Sequence, residues 1–138
     1  MRIAAAQILT GPDPQDNLRQ VRRRVAEAAE RGARLVVFPE ATMRAFGAGR
    51  LDEIAEPLDG PWATAVAEVA RENGVVVVVG MFTPVADGKV RNTLLVTGPA
   101  GEGSGAGAGV GAGEVADGAG GGGDDLHLGY DKIHLFDA

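Results

Sequence analysis

The sequence predicts an α/β domain in which helices pack on a largely buried sheet. Short apolar runs rich in β-branched residues alternate with two amphipathic stretches, in the order βαβαββ. The breaks between them carry Gly, Pro, Asp and Asn where caps and turns require them. The 138 residues, 45% of them apolar, suffice for one domain with a real core.

Arg2 to Leu9 reads as the first strand, with Ile3 and Ile8 among small residues. Gly11-Pro12-Asp13-Pro14 breaks it, Asp13 being suited to cap the following helix and Pro14 to its first turn. From Gln15 to about Arg31, Leu18, Val21, Val25 and Ala28 recur at three- and four-residue steps, and Gly32 ends this stripe. Ala33 to Phe38 is a continuous apolar run of the kind expected when both faces of a strand are covered. Pro39 has no N–H to donate and stops regular pairing just before Glu40.

Ala41 to Leu58 reads as a loop with one short helical turn. Gly60-Pro61 opens a second helix with Trp62, Val66, Val69 and Ala70 on one face, and Asn73-Gly74 closes it. Val75 to Thr83 is a second buried strand, and Asp87-Gly88 marks a hairpin into Lys89 to Thr97. Residues 98–125 then hold 13 of the 22 glycines and almost no large apolar side chain, which reads as a flexible insertion. The G-x-G-x-x-G match at Gly118 to Gly123 follows a Gly/Ala tract instead of a strand and precedes Asp124-Asp125, so it does not predict a phosphate site. Structure resumes at Leu126. Alternation puts Leu128, Tyr130, Lys132, His134 and Phe136 on one side of a last strand.

Composition narrows the function. A formal charge of −6 argues against a general nucleic-acid binder. The Arg22-Arg23-Arg24 run is read as a solvated helix face paired through Arg23–Glu27, Glu27–Arg31 and Glu30–Arg34. With no cysteine and only His127 and His134, a disulfide, a thiolate metal site and a histidine-rich metal site are not expected, and no cofactor is predicted. No signal peptide is read at Met1-Arg2, and the longest apolar stretch, Val75 to Phe82, is too short to cross a bilayer, so a cytoplasmic protein without membrane partners is expected.

Two chargeable side chains stand out. Glu40 follows a buried strand, where desolvation would raise its pKa and favour a general base near neutrality; the competing reading is a solvent-facing strand terminus. Lys132 lies within an otherwise apolar strand and is costly there unless it meets a carboxylate such as Glu40 or lines a cavity. The competing reading is an edge lysine that discourages aggregation. His134 reads as a structural histidine beside Lys132, Tyr130 and Trp62 as core or rim residues, and Asn92 as a turn or backbone-bonding residue.

At these residues the sequence resembles the N-terminal half of the nitrilase (carbon–nitrogen hydrolase) superfamily. The segments, in family order, are Val36-Val37-Phe38-Pro39-Glu40, Val79-Gly80-Met81-Phe82, Arg91-Asn92-Thr93 and Tyr130-Asp131-Lys132-Ile133-His134-Leu135-Phe136-Asp137. Arg2 to Gln7 and Pro57 to Pro61 also match, and the look is nearest to bacterial amidase branches related to omega-amidase and deaminated glutathione amidase. The resemblance implies the N-terminal part of an α-β-β-α sandwich, incomplete in residues 1–138, and a Glu-Lys-Cys triad that hydrolyses a small amide or nitrile. Full-length members of that family are expected to be homo-oligomers. By position, Glu40 would be the general base and Lys132 the ammonium that stabilises the tetrahedral intermediate. The nucleophilic cysteine would lie beyond Ala138, so the chain alone is expected to be inactive. The alternative is a non-catalytic remnant or interaction module that keeps half the fold.

Overall fold

The computed structural model describes residues 1–100 and 125–132. Its elements are β1 (Ile3–Ala5), α1 (Pro14–Glu30), β2 (Leu35–Val37), α2 (Pro61–Glu72), β3 (Val76–Pro84), a 3₁₀ turn (Ala86–Gly88), β4 (Val90–Pro99) and β5 (Asp125–Asp131). They form one mixed sheet in the order β1-β2-β3-β4-β5. The first three strands are parallel and the last two antiparallel. This follows from connection length, since each parallel step is bridged by a helix whereas β3 and β4 are joined by a tight turn. In that turn Asp87 and Gly88 both have positive φ, as the Asp-Gly pair predicts.

Both helices end as the sequence requires. Asp13 Oδ1 accepts the Gln15 N–H at 2.8 Å, and Pro14 occupies the first turn of α1. Leu18, Val21, Val25 and Ala28 are buried along one stripe of α1, as are Trp62, Val66, Val69 and Ala70 on α2. The helices pack on each other, and the Trp62 indole N–H donates to Pro14 O at 3.0 Å. Along α1 the ion pairs are Asp16–Arg19 and Arg24–Glu27, at (i, i+3). Among the described residues these replace the expected (i, i+4) set, although Arg23 and Arg31 still help to hold the Glu27 carboxyl below its usual range, after the Arg24 hydrogen bond.

Three expectations need correction. The first strand is only Ile3–Ala5; Ala6 N–H still donates to Val37 O, but Leu9 lies 90% exposed and outside the ladder. The run at 33–38 is not covered on both faces. Ala4, Val36, Val77 and Thr97 share a face by register and are buried or half-buried against the core, whereas Ala5, Val37, Val78, Val96 and Leu128 share the other and are half-buried or exposed. Apolar Ile3, Leu94, Leu128 and Tyr130 thus stand exposed, all four on the same open face by register. Finally, Gly98, Pro99 and Asp125 at the ends of the glycine-rich segment are strand residues, with Pro99 paired to Asp125. The remainder of that segment, with the Gly118 to Gly123 match, and His134 lie outside the described residues.

Candidate active site

Glu40 is placed by a turn that leaves the sheet and returns to it. Phe38 N–H donates to Val78 O at 2.8 Å, and Met43 N–H donates to Gly80 O at 3.1 Å. Residues 39–42 therefore arch over β3 between two anchored ends. Pro39 supplies no donor to continue the ladder, and Thr42 Oγ1 closes the arch by donating to Pro39 O at 2.6 Å. Ala41 carries φ 56°, a left-handed conformation unusual for alanine, directly after Glu40. The arch rests on Gly80, where a Cβ would lie 2.8 Å from Ala41 N and 3.1 Å from Glu40 C and Cα. On the open side of the sheet, Glu40 is therefore as close to β3 as glycine allows.

Asn92 on β4 and Lys132 just beyond β5 meet the Glu40 carboxylate. Lys132 Nζ donates to Glu40 Oε1 at 3.0 Å, and Asn92 Nδ2 donates to the same oxygen. The Lys132 backbone N–H extends the β4–β5 ladder to Asn92 O at 2.9 Å. The expected pairing of Glu40 with Lys132 is thus present, although Lys132 follows the strand instead of lying within it.

The electrostatics differ from the expected pattern. The Lys132 hydrogen bond holds the Glu40 carboxyl below its usual range; burial acts in the opposite direction, and the Asn92 hydrogen bond adds to the lowering. The predicted upward shift fails because the carboxylate is not enclosed: Glu40 and Lys132 side chains are 50% and 49% exposed. At neutral pH the site holds an ionised carboxylate with two donors on one oxygen, on the open face of the sheet.

Around it, Phe46 meets Phe82 edge-to-face with ring centroids 5.7 Å apart. Trp62 is a core residue, and Tyr130 lies half-exposed on the open face. Below the site, Asn17 on α1 is fully buried and binds Gly11 through both its N–H and its carbonyl, while also donating to Met43 O at 3.1 Å, three residues past Glu40. Sequence reasoning missed Asn17 and read Asn92 as a turn or backbone-bonding residue, where the structure makes it a side-chain partner of Glu40. Each left a signal: Asn92 is a poor strand former inside an apolar strand, and Asn17 sits one turn before Val21 on the apolar stripe, where a buried amide needs partners. No group of three or more His, Cys, Asp or Glu that could hold a metal ion occurs among the described residues, nor does a helix long and apolar enough to cross a membrane.

Known proteins give this geometry a context. A hydrolase of Mycobacterium tuberculosis is 46% identical over 138 residues, covering 100% of this chain and 41% of its own length. The omega-amidase NIT2-B of Xenopus laevis is 33% identical over 100 residues, covering 72% of this chain and 36% of its own length. The chain thus spans about two fifths of the length of the curated relatives it matches. Among solved structures, a variant of the amidase from Nesterenkonia sp. AN1 in complex with butyramide superposes with TM-score 0.68 at 23% identity, covering 100% of this chain and 45% of the amidase, and so shares the fold. Another form of that amidase, 26% identical with TM-score 0.60 over 70% of this chain and 37% of its own, carries the acetamide moiety of fluoroacetamide on its active site cysteine. Residues 2–137 match the carbon-nitrogen hydrolase family, and the chain belongs to it.

Proposed function

We propose that residues 1–138 are the base- and ammonium-bearing part of an amidase that hydrolyses a small amide through a Glu-Lys-Cys triad. The observation that carries this reading is the convergence of Glu40 and Lys132, 92 positions apart in sequence, at 3.0 Å on the open face of the sheet. The names of the relatives support an amide as substrate: one is an omega-amidase, and the Nesterenkonia amidase binds butyramide. A carboxylate-bearing small amide fits the omega-amidase likeness best. The nucleophile is a cysteine outside residues 1–138, which contain none.

In this reading Glu40 takes the thiol proton and the thiolate attacks the amide carbon. The oxyanion that forms is stabilised by the Lys132 ammonium. As Lys132 turns to that oxyanion it loosens from Glu40, whose proton affinity then returns toward the ordinary. Glu40 passes the proton to the departing nitrogen, which leaves as ammonia and a thioester remains. Water deprotonated by Glu40 attacks the thioester, the C–S bond breaks, the departing thiolate takes the proton back from Glu40, and the carboxylic acid is released with carboxylate and thiol restored.

The test joins residues 1–138 to the remaining part of the Mycobacterium hydrolase and follows ammonia release from butyramide and from an amide bearing a terminal carboxylate. Hydrolysis is expected, with loss of at least about 100-fold on Glu40→Gln or Lys132→Ala, in line with removal of a general base or a charge-stabilising donor. The 138-residue chain alone is expected to release no ammonia above background. Turnover by the isolated chain, or full activity of the joined Glu40→Gln variant, would sink the proposal.

A further inference from the structure

We propose that the Asn92-Thr93 dipeptide of β4 is a positioning element that sets Glu40 and Lys132 against each other from the two faces of the sheet. This rests on the catalytic reading of Glu40 and Lys132. Consecutive strand residues point to opposite faces, so one dipeptide addresses both. Asn92, 5% exposed, turns to the open face and donates to Glu40 Oε1, while its carbonyl accepts the Lys132 backbone N–H at 2.9 Å. Thr93, 1% exposed, turns to the helix-covered face and donates to Asp131 Oδ1 at 2.7 Å. Because the Thr93 hydroxyl hydrogen is committed to that carboxylate, the Thr83 hydroxyl, 2.7 Å away, must donate to Thr93. The other Asp131 oxygen faces Arg91 Nε at 3.4 Å.

Asp131 is the last residue of β5 and immediately precedes Lys132. Strand ends fray, and a lysine has four rotatable bonds with which to wander. Holding both oxygens of Asp131 on one face fixes the backbone from which Lys132 reaches out on the other. Thr93 therefore acts on the ammonium without touching it, whereas Asn92 acts on the carboxylate directly.

The experiment is a carbon-detected NMR titration of the Glu40 carboxyl in residues 1–138 joined to the remaining part of the Mycobacterium hydrolase. Thr93→Val removes the hydroxyl at nearly constant shape, and Asn92→Ala removes the amide. Both are expected to move the Glu40 midpoint up toward that of an ordinary glutamate, while Thr93→Ser keeps the wild-type midpoint. A Glu40 midpoint unchanged by Thr93→Val in a folded chain, with only a lower urea midpoint, would mean a merely structural threonine and overturn the proposal. Should Thr93→Val not fold, Asp131→Asn tests the same anchor with a sign of its own. Loss of a nearby negative charge alone would lower the Glu40 midpoint, whereas release of Lys132 raises it. In the joined chain, Thr93→Val is expected to cut kcat about 10- to 100-fold with KM nearly constant. A titration effect without this kinetic effect would overturn the catalytic reading of Glu40 and leave the clamp standing.

Discussion

Gly80 provides the most demanding test of how the site is built. Its φ is not in the left-handed region, so alanine suits its backbone, and replacing a strand glycine would ordinarily stabilise by about 0.4–1 kcal/mol through the unfolded state. Packing opposes this. The added Cβ would sit 2.8 Å from Ala41 N, about 0.6 Å inside the 3.4 Å at which ordinary contact begins, and 3.1 Å from Glu40 C and Cα. These are backbone atoms, and the arch that holds them is pinned at both ends to β3 by the Phe38 and Met43 N–H bonds, so it cannot swing aside. Overpacking of this kind costs about 1–3 kcal/mol, which outweighs the entropic gain. Gly80→Ala should therefore lose about 1–2 kcal/mol in urea unfolding and raise the Glu40 titration midpoint, because the carboxylate is pushed off Lys132 and Asn92. With Glu40 in the proposed role of general base, a displacement of several tenths of an ångström should lower kcat of the joined chain about 10-fold or more. An alanine variant as stable as wild type, with an unmoved Glu40 midpoint, would show that the arch does not rest on β3 and refute the placement argument.

Other predictions follow from single contacts. Glu40 has a folded pKa below its unfolded value, so its pairing adds stability above the ordinary glutamate range, and this is lost as pH falls through the folded value. Both side chains are half exposed, so the contribution should be under about 1 kcal/mol, and Lys132→Ala should remove most of its pH dependence in urea titrations, Asn92 keeping the rest. Glu56 shows the opposite sign: burial holds its carboxyl above the usual range against the pull of the Trp62 and Ala63 N–H groups. Stability should therefore fall as pH rises from the ordinary glutamate range through the folded Glu56 value. Glu56→Gln should flatten that fall, and Glu56→Ala, which removes the 2.6 Å cap on Trp62 N–H, should cost about 1 kcal/mol. Asn17→Leu strips the partners of Gly11 and Met43 and should cost about 2–3 kcal/mol by urea unfolding. The isolated 138-residue chain should self-associate through its open sheet face, and Ile3→Lys with Leu128→Lys should return it toward monomer in sedimentation runs.

The elements were legible because local signals and global fold agree. The α1 stripe, its Asp13 cap and the Asp87-Gly88 turn are each set within a few residues, and the structure keeps them. Burial was less legible. The run from Ala33 to Phe38 is apolar throughout, and periodicity cannot say whether a second layer covers it; here alternate residues are half-exposed. The same gap explains the misjudged Glu40 pKa. Its sign depends on enclosure and on which donors face the carboxylate, and both are tertiary facts. Asn92 was undervalued because a strand asparagine gains meaning only when its partner, 52 positions away, is known.

That long separation also explains why the site sits where it does. In this sheet the arch after β2, the start of β4 and the end of β5 come to one end of the strands, because β2 and β3 run parallel while β4 and β5 reverse direction twice. Glu40 leaves the sheet where Pro39 stops the ladder, Asn92 lies two residues into β4, and Lys132 follows the last residue of β5. Register then does the rest: Phe82 faces Asn92 and Thr93 faces Asp131, so a one-residue slip of β5 would turn Lys132 to the helix-covered face and away from Glu40. The meeting of Glu40, Asn92 and Lys132 is therefore a property of strand register. Substitutions that loosen β5, even on the face opposite to the site, should appear first in the titration of Glu40 and only later in global stability.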